Sequence, residues 1–197
     1  MDLDEVMRRI YDSRDFTAGG GSASAVSAAM AASLVAMVSR LSVGKDLGLP
    51  DAEYEAIADG LDQVSLDLRD GSVKDLAAFL GIKAAYALPK GTEEEKAARK
   101  AAIGRAAYVA ADMPRQNARL AMKVAEAVKK LDGRSNANAA SDLEVGKDFA
   151  FAAVRGCLAN IRANLGLIKD PGSISEMEGF IREMESKMTP GKGMETA

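Results

Sequence analysis

The chain has no histidine, no tryptophan and a single cysteine among its 197 residues. Histidine is the usual proton shuttle and the commonest metal ligand. Its absence argues against a metal centre and leaves proton transfer to Asp, Glu, Lys or Tyr side chains. One cysteine cannot form an internal disulfide. Because Cys157 lies in an apolar run, we interpret it as a core residue rather than a nucleophile.

Basic residues are also in deficit, which gives a net charge of −3 and a pI near 5.2. A general nucleic-acid surface is therefore not expected, because phosphate binding needs a basic face. An anionic ligand would have to be met by a few local cations or by helix N-termini. The N-terminus lacks a charged segment followed by an apolar one, so we expect a cytoplasmic protein.

Aromatic residues make up only 5% of the chain. Sheets usually recruit aromatic and β-branched residues, whereas abundant alanine and methionine favour closely packed helices. Apolar residues recur at helical spacing along most of the sequence, and no segment is convincing as a strand. The prediction is an all-α fold in one domain over residues 1–197, a multihelical bundle with long antiparallel helices.

Capping residues and prolines place the ends of the predicted helices. Thr92 and Ser141 each begin a capping box, a pattern typical of a helix N-terminus. Pro114 is expected to bend or break its helix, and the tail from Thr189 onward is expected to fray. The predicted helices span approximately residues 3–11, 22–43, 57–86, 93–131, 141–168 and 175–188.

The predicted helix at 22–43 is nearly apolar all round, which indicates burial on most sides. A stripe of small residues repeats every four positions and would let a second helix approach closely. A membrane span is the alternative, but the serines and Arg40 argue against it. The members of the stripe are Gly20, Ser24, Ala28, Ala32 and Ala36.

Three glycines, Gly19, Gly20 and Gly21, precede this helix in the segment TAGGGSAS. Glycines permit close backbone approach, and free amides at a helix N-terminus attract carboxylate or phosphate. The segment matches neither the phosphate-binding loop nor the dinucleotide fingerprint. Taken alone, it favours helix packing over anion binding.

Two charged residues further along the chain have a structural and a functional interpretation. Lys90 follows a helix stop, where it would offset the partial negative charge of a helix C-terminus or face a cleft as the cation for an anionic substrate. Asp75 lies beside an apolar helix face, a position usually found on the solvated edge. If it were buried instead, its pKa would rise, as is useful for an acid near neutrality.

The segment NANAASDL combines a polar loop with a helix start. Ser141 as the cap and Asp142 in the first turn are what helix electrostatics favour without any chemistry. The amides of Asn136 and Asn138, together with the Asp142 carboxylate, could equally hydrogen-bond a heterocycle and move a proton. Spacing alone leaves these alternatives open.

Together these motifs resemble the cyclodeaminase/cyclohydrolase family, which comprises the C-terminal domain of formiminotransferase-cyclodeaminase and stand-alone methenyltetrahydrofolate cyclohydrolases. Five segments match in the family's order and cover most of residues 16–170. Two departures are a residue, Ala18, where a proline is common, and residues 171–197, which match nothing in the family. The matching segments are AGGGSASA (18–25), DLAAFLGIKAAYALPKGTEEEKAAR (75–99), AADMP (110–114), SNANAASDL (135–143) and CLANIRANL (157–165).

The resemblance implies an intertwined homodimer that acts on a one-carbon tetrahydrofolate, with no metal and no cofactor beyond that substrate. Neither a membrane nor a nucleic acid is implied as a partner. The stand-alone length favours the cyclohydrolase, which converts 5,10-methenyltetrahydrofolate to 10-formyltetrahydrofolate. The first alternative is the cyclodeaminase, which converts 5-formiminotetrahydrofolate to the methenyl form with loss of ammonia. The second is a non-catalytic folate-binding or scaffold dimer.

The resemblance also assigns roles to the residues already singled out. We expect Asp142 to act as the acid/base, with Asp75 and Lys90 as the next candidates. The substrate's glutamate tail is expected at the backbone amides of the glycine turn and at Lys90, and the pterin at the polar loop. The predicted binding residues are Gly20, Gly21, Ser22, Asn136, Asn138 and Ser141.

Overall fold

The computed structural model describes residues 1–188, which form six α-helices, a short 3-10 turn and no strand. This confirms the predicted all-α class. The elements are α1 (Leu3–Tyr11), α2 (Gly20–Arg40), α3 (Asp51–Tyr86), α4 (Glu93–Leu131), the 3-10 turn Ala137–Ala139, α5 (Ala140–Leu165) and α6 (Pro171–Met188).

Helices α2 to α5 form the body of the molecule, and α2 packs against α3, α4 and α5. Helices that follow one another in the chain, such as α2 and α3 or α3 and α4, run antiparallel. At one end of α2, Ser39 Oγ donates to the Tyr54 carbonyl of α3, and at the other end Ser22 Oγ donates to Asp75. Helix α5 also runs antiparallel to α2, since Gly146 lies against Val35 and Gly156 against Ser24. Short connections between antiparallel neighbours are typical of a helical bundle.

Small residues allow α2 and α5 to lie close together, as the alanine-rich stripe predicted. A Cβ atom added to Gly146 of α5 would lie 2.7 Å from Val35 Cγ2, and one added to Gly156 would overlap the Ser24 side chain. By length and composition α2 alone, within residues 1–188, could cross a membrane. However, 67% of its most apolar window is buried in the bundle, which is typical of a central core helix.

The predicted helix ends are confirmed at one capping box and wrong at the other. Thr92 caps α4, and Glu95 bonds back to the Thr92 amide. Ser141, in contrast, caps nothing. The 3-10 turn runs directly into α5, so the cap is Ala139 and Ser141 is exposed inside the first helical turn. The polar cap here belongs to Asn136, whose side chain accepts from the Asn138 amide at 3.1 Å.

Two prolines correct the predicted helix ends. Helix α4 continues through Pro114, so of the two expected effects, a bend or a break, the break is wrong. Pro171 begins α6 instead of preceding it, because proline fits the first helical position and Asp170 accepts from the Ser173 amide at 2.7 Å. The predicted frayed tail, 189–197, lies outside the described residues.

Candidate functional site

A carboxylate from α3 meets the N-terminus of α2. Asp75 is buried with 8% of its surface exposed, and its Oδ2 accepts a 2.9 Å hydrogen bond from Ser22 Oγ. The expectation of a solvated edge for Asp75 is therefore wrong, because α2 crosses α3 at this turn and covers it. The glycine turn does meet an anion, and the anion is a side chain of the protein itself. The positive end of the helix dipole favours a negative charge at this position.

Burial raises the pKa of Asp75 above its ordinary value, because a charged carboxylate is poorly solvated there. The Ser22 hydroxyl and backbone amide oppose this rise in the pKa by stabilising the charged form, but burial is the larger effect. Neighbouring Cys157 is fully buried, and burial together with the Asp75 charge raises the pKa of its thiol. This confirms Cys157 as a core residue, and its thiol stays protonated near neutrality.

The contact between Asp75 and the N-terminus of α2 requires a residue without a side chain at Gly21. A Cβ atom at Gly21 would lie 2.6 Å from Asp75 Oδ2 and closer still to Oδ1, whereas a Cβ atom at Gly20 would meet nothing within 4 Å. The glycine turn therefore combines both roles that the sequence left open. It allows a close approach between two helices, and it presents hydrogen-bond donors to an anion.

Asp75 borders a small cavity of about 140 Å³ lined by residues of α2, α3, α4 and α5 and of the loop before α2. Two of its wall residues, Asn160 and Asn164 of α5, were not singled out from the sequence, although both lie in the matching segment CLANIRANL. Asn164 Nδ2 donates to the Ala110 carbonyl of α4 at 3.3 Å and to Asn160. The sequence feature that could have revealed them is a pair of asparagines four positions apart in an apolar helix, since asparagine is a poor helix former. The wall residues are Phe16, Thr17, Gly19, Gly21, Asp75, Phe79, Ala110, Asn160 and Asn164.

A cationic groove lies beyond this cavity, between the end of α3 and the start of α4. Its volume is about 490 Å³, and its lining contains five cations and no carboxylate. The Arg99 guanidinium donates twice to the Tyr86 carbonyl at 3.1 Å and lies over the Tyr86 ring. In a chain of net charge −3, such a groove concentrates positive potential. The groove residues are Tyr86, Lys90, Lys96, Arg99, Lys100, Ile103, Leu167 and Lys169.

The cavity and the cationic groove are neighbours along the same helices. Phe79 of the cavity and Tyr86 of the groove are seven residues apart on α3. Ala110 and Ile103 have the same separation on α4. Seven residues of α-helix correspond to about 10 Å, so one extended molecule can occupy both.

The predicted polar loop lies at the opposite end of the molecule. The Asn136 amide donates to Ser42 Oγ at 2.9 Å, and Asn136 Nδ2 donates to the Leu41 carbonyl at 3.1 Å, just past the end of α2. Asp142 is half-buried in the first turn of α5. Because α2 has 21 residues, the loop and Asp75 lie about 30 Å apart. A single chain therefore brings Asp75 near the Lys90 groove but does not bring either of them near Asp142.

Comparison with known proteins identifies the family. The formiminotransferase-cyclodeaminase family model matches residues 3–183. The chain belongs to this family. The match extends well past residues 16–170, so α6 and α1 are part of the family domain and the expectation that residues from 171 match nothing is wrong. Among the described residues, no cluster of three or more Cys, Asp or Glu side chains is arranged to hold a metal ion.

Individual members of the formiminotransferase-cyclodeaminase family are similar over most of the chain. A methenyltetrahydrofolate cyclohydrolase from Methylorubrum extorquens is 33% identical, covering 85% of this chain and 83% of the relative. A formimidoyltransferase-cyclodeaminase from Gallus gallus is 30% identical, and there the chain spans only 35% of the relative. The solved structure of a formiminotetrahydrofolate cyclodeaminase from Thermotoga maritima superposes with a TM-score of 0.81 at 28% identity, over 95% of this chain and 89% of that one.

The Gly21 contact predicts different effects for two neighbouring glycines of this family member. Gly21→Ala should lower the free energy of unfolding by about 1–3 kcal/mol, because the new methyl group displaces the buried carboxylate. Gly20→Ala is the matched control and should change it by less than about 0.5 kcal/mol. Urea denaturation of both variants tests this, and equal stabilities would contradict the contact.

Asp75 also predicts a pH dependence of stability. Because the pKa of Asp75 is raised in the folded state, its protonated form stabilises the fold at acid pH, and this contribution is lost as pH rises through the folded pKa. Asp75→Asn cannot ionise, so the stability of wild type relative to this variant should fall from acid to neutral pH. Urea denaturation across that range measures the difference, with the exposed Asp148→Asn as control. A difference that grows with pH would contradict the burial effect.

Proposed function

We propose that this protein is a methenyltetrahydrofolate cyclohydrolase that converts 5,10-methenyltetrahydrofolate and water to 10-formyltetrahydrofolate. The observation that carries the proposal is the buried Asp75 carboxyl, which borders a cavity next to a cationic groove. The similarity to the cyclohydrolase supports the same reaction. A tetrahydrofolate has a pterin, a p-aminobenzoyl ring and an anionic glutamate tail, and the cavity and groove together suit a molecule with one charged end.

Asp75 is the group best placed to move the proton. In the proposed reaction, water adds to the electrophilic methenyl carbon and gives a proton to the Asp75 carboxylate as the C–O bond forms. The carbon–N5 bond then breaks as the adduct's hydroxyl becomes the formyl C=O and releases its proton to solvent, and N5 receives a proton from the same carboxyl. A carboxyl with a raised pKa suits both steps, because a group whose pKa is closer to neutrality both accepts and returns a proton readily. Ser22 fixes one oxygen of Asp75 and leaves the other to act.

The surrounding residues suit the parts of the substrate. The Ser22 donors already serve Asp75, so we assign the glutamate tail to Lys90 and its neighbours in the cationic groove rather than to the glycine turn. Asn164 Nδ2 already donates to the Ala110 and Asn160 carbonyls, so we assign the edge of the pterin to the Asn160 side-chain amide and to Asn164 Oδ1. The substrate itself carries the activated carbon, so we propose no metal or further cofactor, and a cytoplasmic enzyme with neither a membrane nor a nucleic acid as partner.

The cyclodeaminase reaction is the second candidate, because the superposed Thermotoga maritima structure carries that name. There N10 attacks the formimino carbon, and the departing nitrogen needs a proton from the same carboxyl. The two reactions are separated by offering each substrate and following the methenyl chromophore and ammonia. A cyclohydrolase consumes the chromophore and releases no ammonia. A chain that binds folate and turns over neither substrate would be the non-catalytic dimer.

The assignment predicts the effect of removing one carboxyl. Asp75→Asn should lower kcat by about 10²- to 10⁴-fold, the usual contribution of a positioned acid/base, while the helical circular dichroism is kept. In wild type, kcat/KM should rise with pH through the raised pKa of Asp75, because the base must be ionised. Asp148→Asn is the matched control on an exposed surface. Near-normal turnover by the Asp75 variant would rule out its catalytic role.

We further propose that two copies of the chain pair through the outer face of α2. This face presents residues spaced alternately four and three apart, the spacing of a coiled-coil seam. The larger members are exposed although apolar, with 46% of Met30, 40% of Met37 and 45% of Leu41 accessible. The stripe consists of Ala23, Ser27, Met30, Leu34, Met37 and Leu41.

An antiparallel pair would complete the site. It would set the Leu41 end of one α2 against the glycine end of the other, and so bring one subunit's polar loop to the other subunit's Asp75 cavity. A cavity of about 140 Å³ is below the roughly 300–1,000 Å³ of ordinary ligand sites, which supports a contribution from a second copy. Asn136, Asn138, Ser141 and Asp142 would then act across the dimer, where the family resemblance predicts them.

Subunit complementation tests this arrangement. Asp75→Asn and Asp142→Asn should each abolish most turnover as homodimers. Co-expressed, they should recover up to about a quarter of wild-type activity, because half of the randomly formed dimers carry one intact site. If each residue acted only within its own subunit, mixing would restore nothing. Met37→Asp should dissociate the dimer in sedimentation, whereas Val109→Asp, equally exposed on α4, should not.

A further inference from the structure

Phe16 lies at the mouth of the Asp75 cavity with 86% of its surface exposed. Phenylalanine is normally buried, so a phenyl ring left in water beside a cavity needs an explanation. Phe79, 38% exposed, lines the same cavity from α3. Two accessible aromatic rings thus border the cavity that holds the buried carboxyl, in a chain where aromatic residues are only 5% of the total.

Hydrogen bonds fix the loop on both sides of Phe16. The Arg9 guanidinium of α1 donates to Thr17 Oγ1 at 2.9 Å and to Asp15 at 3.3 Å. The Thr17 amide donates to Asp15 Oδ1 at 2.8 Å. Arg9 Nη2 also donates to Glu5 Oε1 at 2.6 Å. The exposed position of the ring is therefore set by a network that spans its two neighbours.

We infer that Phe16 is the ring on which the pterin of the substrate stacks, an inference that rests on the proposed function. A phenyl ring at a cavity mouth suits the planar pyrimidinone ring of the reduced pterin, because offset stacking of two flat ring systems is favourable. Asn160 and Asn164 lie in the same cavity wall, and the Asn160 side-chain amide and Asn164 Oδ1 suit the polar edge of that heterocycle. We do not place the glutamate tail at Phe16, because the cations of the groove that would bind the tail lie about 10 Å further along α3 and α4.

Phe16 also lies outside the α2 stripe through which we propose dimerisation. Its role is to position the pterin so that the carbon between N5 and N10 faces Asp75. Phe16 is thus a substrate-binding residue, whereas Asp15, Thr17 and Arg9 position it. The stacked ring would act on substrate affinity rather than on the proton transfer itself.

Substitutions that separate aromatic stacking from simple apolar contact test this inference. Phe16→Ala should raise KM about tenfold and leave kcat within about twofold, as expected for the loss of one stacked ring. Phe16→Tyr should restore KM, whereas Phe16→Leu, apolar but not aromatic, should not. Full rescue by leucine would overturn stacking. Loss of the dimer or of the fold in Phe16→Ala, followed by sedimentation and circular dichroism, would show a structural role and also overturn it.

The absence of tryptophan provides a direct reporter. Phe16→Trp places the sole tryptophan at the cavity mouth, and its fluorescence should be quenched by 6-methyltetrahydropterin added alone. Tyr11→Trp is the matched control, because Tyr11 is 77% exposed and lies outside the cavity wall. The fluorescence of Tyr11→Trp should change only through the inner-filter effect, that is, absorption of light by the added pterin. Quenching by p-aminobenzoylglutamate and not by the pterin would overturn the assignment of the stacked ring.

The two proposals fail separately. If wild type turns over methenyltetrahydrofolate while neither fragment quenches Phe16→Trp and Phe16→Ala keeps its KM, the inference is wrong and the function stands. If wild type turns over neither folate while the pterin still quenches Phe16→Trp, the ring binds a pterin and the proposed activity is wrong.

Discussion

A carboxylate held against the start of a helix is the contact on which the rest of the candidate site depends. Asp75 reaches the N-terminus of α2 because Gly21 carries no side chain there, and Ser22 supplies the hydrogen bond that makes its burial tolerable. The same burial raises the pKa of Asp75, since the charged form loses most of its contact with water. One contact thus joins two helices and raises the proton affinity of a buried carboxyl.

The long helices separate opposite charges by a defined distance. The Asp75 cavity and the cationic groove lie along the same stretch of α3 and α4, about two helical turns apart. A cationic amidinium carbon would be favoured near Asp75, and a carboxylate tail near Lys90. The direction in which a tetrahydrofolate binds would therefore follow from electrostatics before any specific hydrogen bond forms.

The length of α2 also has a consequence for assembly. Its two ends carry different polar loops, and a straight helix of 21 residues keeps them apart within one subunit. Pairing two such helices in opposite directions is a symmetric way to bring unlike ends together, and a two-fold dimer does so twice. The exposed methionines along α2 suit this pairing, because methionine adapts to irregular apolar surfaces.

The sequence by itself determined the all-α class, most helix ends and the family. These depend on periodicity and on residues within a few positions of one another, such as the Thr92 and Glu95 capping box. Tertiary structure alone decided which polar residues meet. Asp75 and Ser22 are 53 positions apart in sequence, and no local pattern distinguishes a buried aspartate from one on a solvated edge. The separation of Asp142 from Asp75 has the same cause, since it depends on how α2 and α5 pack against each other. Ser141 fails as a cap because the 3-10 turn runs directly into α5.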